Sequence, residues 1–309
     1  MNSQTKELTS FSRLVAERIR YFSGKGKYKT AANYRCALKH FVAFAQGQEL
    51  LVEELNVSLM IDFQDYLIRK GLKMNTVSLY MRMLRAAYNY ALDEELIAVD
   101  RRPFRKVFTG QEKTRKRALP QRTVRCLVEI RLDSPALRFA RDLFLFSIYM
   151  QGMPFVDMAH LQKSQIRRGY VLYRRSKTKR TLKVKIDPHA QQIIDRWGVK
   201  DRGNPFLFPI LEPDEKENPV HYDSALRLFN KRLAQISALL KLEEPLTSYV
   251  SRHTWASLAR RCGISDTIIC EAMGHANIET TAIYLAALDT EVIASANRKL
   301  IASLMRWRI

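Results

Sequence analysis

The sequence lacks the features that mark membrane-spanning, secreted and zinc-binding proteins. No apolar run approaches the length of about 18–20 residues that spans a bilayer, and the opening residues MNSQTKELTS have no apolar segment of the kind that a signal peptide needs. The cysteines are few and show no metal-ligand spacing: Cys36, Cys126, Cys262 and Cys270. We therefore expect a cytoplasmic protein without a membrane partner, whose cysteines are reduced core residues.

Acidic residues are also scarce relative to basic ones. The 309-residue chain has 52 Lys and Arg against 31 Asp and Glu, a formal charge of +21 at pH 7. An excess of this size is typical of proteins that bind a polyanion, most often nucleic acid, although ribosomal and membrane-surface proteins also carry it. Hydrophobic residues form 47% of the chain, which is enough to build the cores of about two domains.

Hydrophobic periodicity divides the chain into a helical half and a mixed half. In the first half, apolar side chains recur at helical spacing over residues 34–44, 60–67 and 77–91. Thr30 and Asn75 are expected to cap the first and third of these helices, and Pro103 ends the pattern. Residues 109–120 are polar and aperiodic, as in a linker between domains.

The second half combines helices with one predicted hairpin. Residues 170–173 and 182–186 have strand character and flank a turn rich in Arg and Lys. Helical patterns cover residues 136–150, 223–240, 251–262, 265–273, 278–287 and 290–306. We therefore predict an α+β, mostly α fold class: a helical bundle domain over residues 1–108, a linker over 109–120, and a mixed α/β domain with a small antiparallel sheet over 121–309.

A set of residues near the C-terminus has a distinctive spacing. Arg252-His253 is followed by Gly274-His275, and Tyr284 comes nine residues after His275. This arrangement resembles the tyrosine recombinases of the phage-integrase family, in which a His-x-x-Arg-His box precedes Gly-His and a nucleophilic Tyr at the same interval. The resemblance spans about residues 10–290. It implies a SAM-like core-binding domain, a catalytic domain, and a site-specific recombinase that integrates, excises or inverts DNA.

Strand transfer needs these residue types. A phosphodiester repels nucleophiles through its negative charge, which guanidinium groups neutralise in a fork geometry. A phenol, with a pKa of about 10, attacks when nearby cations favour the phenolate. This chemistry requires neither a metal nor another cofactor, and no carboxylate cluster in the sequence would hold a metal. By resemblance, Tyr284 is the nucleophile, Arg252 and His275 bind the phosphate, and His253 supports Arg252 or is purely structural.

The resemblance also places a general acid in the hairpin turn, where a lysine protonates the leaving 5′-oxygen. Lys177 is the better match to that lysine, and Lys179 is the alternative. The turn's other cations, Arg175 and Arg180, are expected to track the DNA backbone, which could also be the role of the whole turn.

Tyr249 is the first of two departures from the family pattern, because it stands where the box has a histidine. A phenol can donate a hydrogen bond to a phosphate, but it is a poor base at pH 7 because it holds its proton. We therefore expect Tyr249 to orient the phosphate or the nucleophile.

Pro154 is the second departure, at the position of the family's first arginine. Losing one charge-stabilising donor typically costs about 3 kcal/mol, or about 10²–10³ in rate. An arginine earlier in the same apolar segment, Arg138 or Arg141, could fill the gap. Alternatively, Asp142 or Asp157 is the partner of these arginines.

The resemblance further implies a clamp around double-stranded DNA and a multimeric complex. The first half supplies cations to the clamp: Lys27, Lys29, Arg35, Arg82 and Arg85. The amphipathic pattern from Val292 to Leu304 is expected to dock on a neighbouring subunit and give a homo-tetramer on two DNA sites, although it could pack in cis. Two other functions stay open: a strand-passing enzyme like a type IB topoisomerase, and a catalytically weak DNA-binding protein of the same fold.

Overall fold

The computed structural model describes residues 10–112, 117–213, 219–275 and 277–282, together with Asn297 and Ile301. The chain divides into two compact units, Met1–Thr114 and Arg115–Ile309, and each has its own buried apolar core. No helix in the described ranges is both long enough and apolar enough to cross a bilayer.

The first unit is a helical bundle, as its periodicity predicts. Its α-helices are α1 (Phe11–Gly24), α2 (Tyr28–Phe44), α3 (Val57–Arg69) and α4 (Met74–Asp93), with a 3₁₀ turn at Val52–Glu54. The Ser10 and Asn56 side chains start α1 and α3 by accepting hydrogen bonds from backbone N–H groups of the first turn. The apolar faces of the helices meet in a core that includes Phe11, Phe41, Met60, Phe63 and Leu84.

The predicted caps at Thr30 and Asn75 are wrong. The residue that precedes α2 is Lys27, so Thr30 lies inside the helix. Asn75 likewise lies in the first turn of α4, where its side chain exchanges two hydrogen bonds, of 2.8 and 3.0 Å, with the backbone of Glu112. A tertiary contact thus uses the amide that local pattern assigns to a cap, and it holds the end of this unit against α4.

The second unit surrounds one buried helix. Its helices are α5 (Gln121–Glu129), α6 (Pro135–Tyr149), α7 (Phe155–Ala159), α8 (Pro188–Trp197), α9 (Pro219–Leu239), α10 (Val250–Arg261), α11 (Asp266–Ala272) and α12 (Ile278–Ala282). α6 packs against α8, α9 and α10, so its central residues, 142–148, are buried on every side. The predicted helix over 136–150 is therefore confirmed as the centre of this unit, and its C-terminal end leads to the buried Gly152.

The predicted hairpin is confirmed, with one additional strand. The strands are β1 (Ile166–Arg167), β2 (Tyr170–Arg174) and β3 (Thr181–Lys185), in the order β1-β2-β3, and both pairs are antiparallel. Arg174 pairs with Thr181 at the end of the β2-β3 ladder, so residues 175–180 form the turn. Val171, Tyr173 and Val184 face the core, which fixes the direction in which the turn projects.

The expectation that the cysteines are core residues is wrong for three of them. Cys36, Cys126 and Cys262 are exposed, and Cys270 is buried. Their apolar neighbours in sequence misled the prediction, because adjacent residues on a helix point about 100° apart and do not share a face.

Candidate active site

The second unit buries an arginine near the N-terminal end of α10. Arg252 is only 2% exposed. Its Nη1 donates to the Gly152 carbonyl at 2.6 Å, in the loop after α6, and its Nη2 donates to the Met273 carbonyl at 2.7 Å, at the end of α11. Nη2 also lies 2.9 Å from Nε2 of His275. Two separate segments, the loop after α6 and the α11–α12 connection, therefore hold this guanidinium in one orientation.

His275 is held in one protonation state and one tautomer. Since Arg252 can only donate, Nε2 of His275 accepts, and the ring proton lies on Nδ1, which is 2.8 Å from the Thr281 hydroxyl oxygen. The ring is 1% exposed. Burial and then the charges of Arg252, Arg175 and Lys177 lower the pKa of His275 to about 3. The imidazole is therefore neutral at pH 7, with three cations around it.

Thr281 is a site residue that the sequence pattern alone did not reveal. It is fully buried on α12. Its position six residues after His275 gives no indication of a contact in the sequence. In the structure, its hydroxyl links the histidine to α12.

Lowering the pH from 7 to 5 is expected to destabilise the second unit through His275. The folded state keeps the imidazole neutral down to a pKa of about 3, whereas the unfolded chain binds a proton near pH 6.5. Stability is therefore fully present above about pH 6.5 and falls as the pH drops toward 3. The linkage gives a loss of up to about 2 kcal/mol between pH 7 and 5.

Urea unfolding followed by tryptophan fluorescence measures this loss, because the tryptophans, Trp197, Trp255 and Trp307, all belong to the second unit. In His275→Gln the free energy of unfolding should depend less on pH, by about the same 2 kcal/mol. His221→Gln, which removes an exposed histidine, should keep the wild-type dependence. Equal slopes for wild type and His275→Gln would contradict the prediction.

The turn of the β2-β3 hairpin is fixed against the segment that carries His275. Arg175 donates through Nη1 to the carbonyls of Met273 and Gly274, and Thr178 donates to the same Gly274 carbonyl at 3.0 Å. Arg180 donates to the His275 carbonyl. The turn is therefore part of the site and not a loose surface loop.

Asp157 holds the turn from the opposite side. This carboxylate on α7 is 4% exposed, and its Oδ1 accepts the Ser176 N–H at 2.9 Å. Among the described residues, its Oδ2 has no hydrogen-bond partner. Asp157 is therefore not the partner of Arg138 or Arg141; it shapes the turn between Arg175 and Lys177.

The two candidate lysines of the turn differ in their relation to His275. Both Lys177 and Lys179 are exposed. Only Lys177 is close enough to contribute, with the two arginines, to the depressed pKa of His275. This difference favours Lys177 as the general acid.

Two glycines shape the site by leaving room for its arginines. Gly152 has φ +71°, and a Cβ there would lie 3.2 Å from Cα and from Cγ of Arg252. Gly274 has φ +63°, and a Cβ there would lie 3.3 Å from Cδ of Arg175. The backbone conformation and the close approach both require glycine at these positions.

Tyr249 lies at the rim of the site. It immediately precedes α10 and is 53% exposed. Its ring meets the half-buried ring of His253 edge to face, with centroids 4.8 Å apart. The phenol thus remains accessible to a ligand, while His253 packs beneath it.

The two arginines that were candidates to replace the absent first arginine make their contacts elsewhere. Arg138 donates to the carbonyls of Leu132 and Asp133. Arg141 forms an ion pair of 2.8 Å with Asp142 and donates to the Ile130 carbonyl. Arg141 lies eight residues, or about 12 Å, before the end of α6. Of the two interpretations offered by the sequence, the structure favours the aspartate partner for Arg141.

The remaining predicted residues fall on exposed surface or outside the described ranges. Tyr284 and the segment from Val292 to Leu304 are not among the described residues, apart from the isolated Asn297 and Ile301. The cations expected to grip DNA are exposed: Lys27, Lys29, Arg35, Arg82, Arg85, Lys179 and Arg180. Arg175 differs from them, since it is 4% exposed and lies beside Arg252.

Comparison with known proteins gives two family matches and several relatives. Residues 10–107 match the phage integrase SAM-like domain, and residues 128–291 match the phage integrase family. The tyrosine recombinase XerD of Pseudomonas putida is 22% identical over 267 residues, which cover 82% of this chain and 85% of that protein. XerD of Pseudomonas aeruginosa is 24% identical over 266 residues with the same coverage.

Solved structures share the fold over most of the chain. The Tn1549 transposon integrase in complex with transposon right end DNA has a TM-score of 0.70 at 16% identity, covering 95% of this chain and all of that one. A lambda integrase dimer bound to a COC′ core site has a TM-score of 0.67 at 17% identity, covering 91% of this chain and 78% of that one. The predicted α+β, mostly α fold class is thereby confirmed.

Proposed function

Because the chain belongs to the phage integrase family of tyrosine recombinases, enzymes that cleave and rejoin DNA, we propose that it exchanges DNA strands with Tyr284 as the nucleophile. Its activity is site-specific DNA recombination. We assign different steps of that reaction to different residues of the second unit.

The observation that carries the residue assignment is the buried contact between Arg252 and a neutral His275. In the described part of the chain, a guanidinium that is 2% exposed lies beside an uncharged imidazole and near two further cations, which gives this part of the site excess positive charge. Burying such charge is costly unless an anion completes the site. A phosphodiester supplies that anion, and Arg252 can bind its non-bridging oxygens in a fork.

In the proposed cleavage step, the phenol of Tyr284 releases its proton to solvent, favoured by the nearby cations. Its oxygen then bonds to phosphorus while the bond from phosphorus to the 5′-oxygen breaks, leaving a 3′-phosphotyrosine. Lys177 gives its proton to the departing 5′-oxygen. Arg252 and His275 hold the phosphate, and Tyr249 donates a hydrogen bond from the rim. Attack by a 5′-hydroxyl on the phosphotyrosine reverses the step, so rejoining needs no ATP.

The rest of the chain is assigned to DNA binding and assembly. We place the DNA-clamping domain at residues 1–108, the linker at 109–120 and the catalytic domain at 121–309. The exposed cations of the first unit support a grip on the DNA backbone. The Tn1549 and lambda integrases have been solved with DNA, the latter also as a tetramer on a Holliday junction. We propose that this chain likewise binds double-stranded DNA, and that four copies assemble on two sites through the segment after Tyr284.

Covalent capture on DNA tests the nucleophile. A duplex that carries the recombination site, nicked beside the scissile phosphate, releases a short fragment on cleavage and traps the protein–DNA adduct. Wild type should give a 3′-linked adduct, and Tyr284→Phe should give none, because phenylalanine has no oxygen to attack phosphorus. Tyr222→Phe serves as the control, since this tyrosine lies on α9 and burial raises its pKa to about 12. An undiminished adduct with Tyr284→Phe would sink the assignment.

A further inference from the structure

We propose that Arg175, in the hairpin turn, is the second phosphate-binding arginine of this enzyme and performs the task of the arginine that Pro154 replaces. The inference rests on the proposed function and deepens it. From the sequence alone, Arg175 is assigned to the DNA backbone together with the other cations of its turn. Its burial and its contacts separate it from them.

Arg175 is held by the α11–α12 connection, which also holds Arg252. Nη1 of Arg175 and Nη2 of Arg252 both donate to the carbonyl of Met273, so the two guanidinium groups lie side by side. Arg175 is 4% exposed, and its stem passes Gly274, where an added Cβ would lie 3.3 Å from its Cδ. The α11–α12 connection thus accommodates both arginines.

The hydrogen bonds of Arg175 leave one edge of its guanidinium without a partner among the described residues. Both hydrogens of Nη1 are used by the carbonyls of Met273 and Gly274. Nε is buried and has no hydrogen-bond partner among residues 117–213, 219–275 and 277–282, and Nη2 makes no hydrogen bond within those ranges. Nε and Nη2 form the edge of a guanidinium that binds two oxygens of one phosphate in a fork.

The charges around Arg175 also call for an anion. In the described part of the chain Arg175 forms no ion pair within 4 Å, and the one nearby buried carboxylate, Asp157, bonds to the Ser176 N–H instead. His275 is neutral and offers no compensation. Two adjacent buried guanidinium groups repel each other in this setting, and a phosphate between them would relieve the repulsion.

Pro154 is compatible with this arrangement because it has a different task. It immediately precedes α7, as the N-cap residue with φ −63°, an angle that the proline ring favours. α7 then presents Asp157 to the turn, which fixes the backbone beside Arg175. The chain has thus exchanged an arginine at the start of α7 for one that reaches the same site from the hairpin.

Cleavage by Arg175→Gln, with Arg174→Gln as the matched control, tests the inference. Arg174 is the preceding residue, and it is exposed and bonds only to the Lys179 carbonyl among the described residues. On the nicked duplex, Arg175→Gln should form the adduct about 10²–10³ times more slowly than wild type, with the affinity for intact duplex unchanged within about threefold. Arg174→Gln should cleave at the wild-type rate.

A substrate with a neutral scissile phosphate separates charge neutralisation from a structural role. Replacing one non-bridging oxygen by a methyl group removes the negative charge that Arg175 would offset. The deficit of Arg175→Gln should shrink at least about tenfold on this methylphosphonate. The same deficit on both substrates, or a wild-type rate on the ordinary one, would overturn the inference.

Two further measurements keep the outcomes distinct. Tryptophan fluorescence shows whether the second unit of Arg175→Gln is folded. If it is unfolded, Arg175→Lys takes its place, since lysine keeps the positive charge. Arg175→Lys should still cleave at least about tenfold more slowly than wild type, because an ammonium cannot form the fork. No adduct with wild type would overturn the proposed function and with it this inference. An adduct with wild type and an equal rate with the Arg175 variants would overturn this inference alone.

Discussion

Replacing Arg252 with lysine is expected to slow DNA cleavage by about 10²–10³-fold while binding of intact duplex stays within a few-fold. Lysine keeps the positive charge but offers a single ammonium in place of the planar fork. It cannot reach the Gly152 carbonyl, the Met273 carbonyl and a phosphate at once. The buried carbonyls that lose their donor should also lower the free energy of unfolding of the second unit by about 1–3 kcal/mol.

Arg261→Lys is the matched control for this variant, because Arg261 ends the same helix and is exposed. Adduct formation on the nicked duplex and urea unfolding by tryptophan fluorescence give the two readouts. The control should match wild type in both. Cleavage by Arg252→Lys at a rate within threefold of wild type would show that the fork is not needed, and the assignment of Arg252 would have to be withdrawn.

Replacing Gly152 with alanine is expected to destabilise the second unit by about 1–3 kcal/mol and to slow cleavage. Two causes act together. An alanine is strained at φ +71°, and its Cβ would lie 3.2 Å from Cα and Cγ of Arg252. The added Cβ would press against the backbone and the buried stem of Arg252. We therefore expect the guanidinium to shift relative to the bound phosphate, and small displacements of a positioning group reduce the rate strongly.

Gly169→Ala separates these two causes. Gly169 has a similar φ of +77°, in the β1-β2 turn, but an added Cβ would meet no atom within 4 Å. It should show only the strain, about 1–2 kcal/mol, with cleavage unchanged. Tryptophan fluorescence and adduct formation again report the two effects. If both variants cleave at the wild-type rate, Gly152 does not position Arg252.

The spacing of Arg252, Gly274, His275 and Tyr284 was sufficient to predict the family and its chemistry. These residues lie within a stretch of 33 positions, and a family whose reaction needs fixed groups retains their intervals. Fold class was predictable for a related reason: the apolar periodicities of α2, α3, α4 and α6 are strong, and burying those faces leaves few arrangements. The hairpin followed from two short strands around a charged turn.

Other features depended on contacts between residues far apart in sequence. In the sequence, Asn75 resembles a helix cap, but in the structure its side-chain amide bonds to the backbone of Glu112, 37 residues later. In the sequence, Arg141 is a candidate for the site, but in the structure it forms an ion pair with Asp142 and donates to the Ile130 carbonyl. Thr281 has no sign of a site role in the sequence, and only the fold brings its hydroxyl to 2.8 Å from Nδ1 of His275.

Arg175 is the clearest example of a residue whose position only the tertiary structure reveals. In the sequence it is one of several cations in a turn, and a turn of this composition is typical of a surface that contacts the DNA backbone. Only the packing of that turn against Met273 and Gly274 buries it beside Arg252. The sequence by itself determined which chemistry the chain performs, because that chemistry requires particular side chains at recognisable intervals. The tertiary structure decided which arginine lies beside Arg252, because burial and direction depend on segments about 100 residues apart.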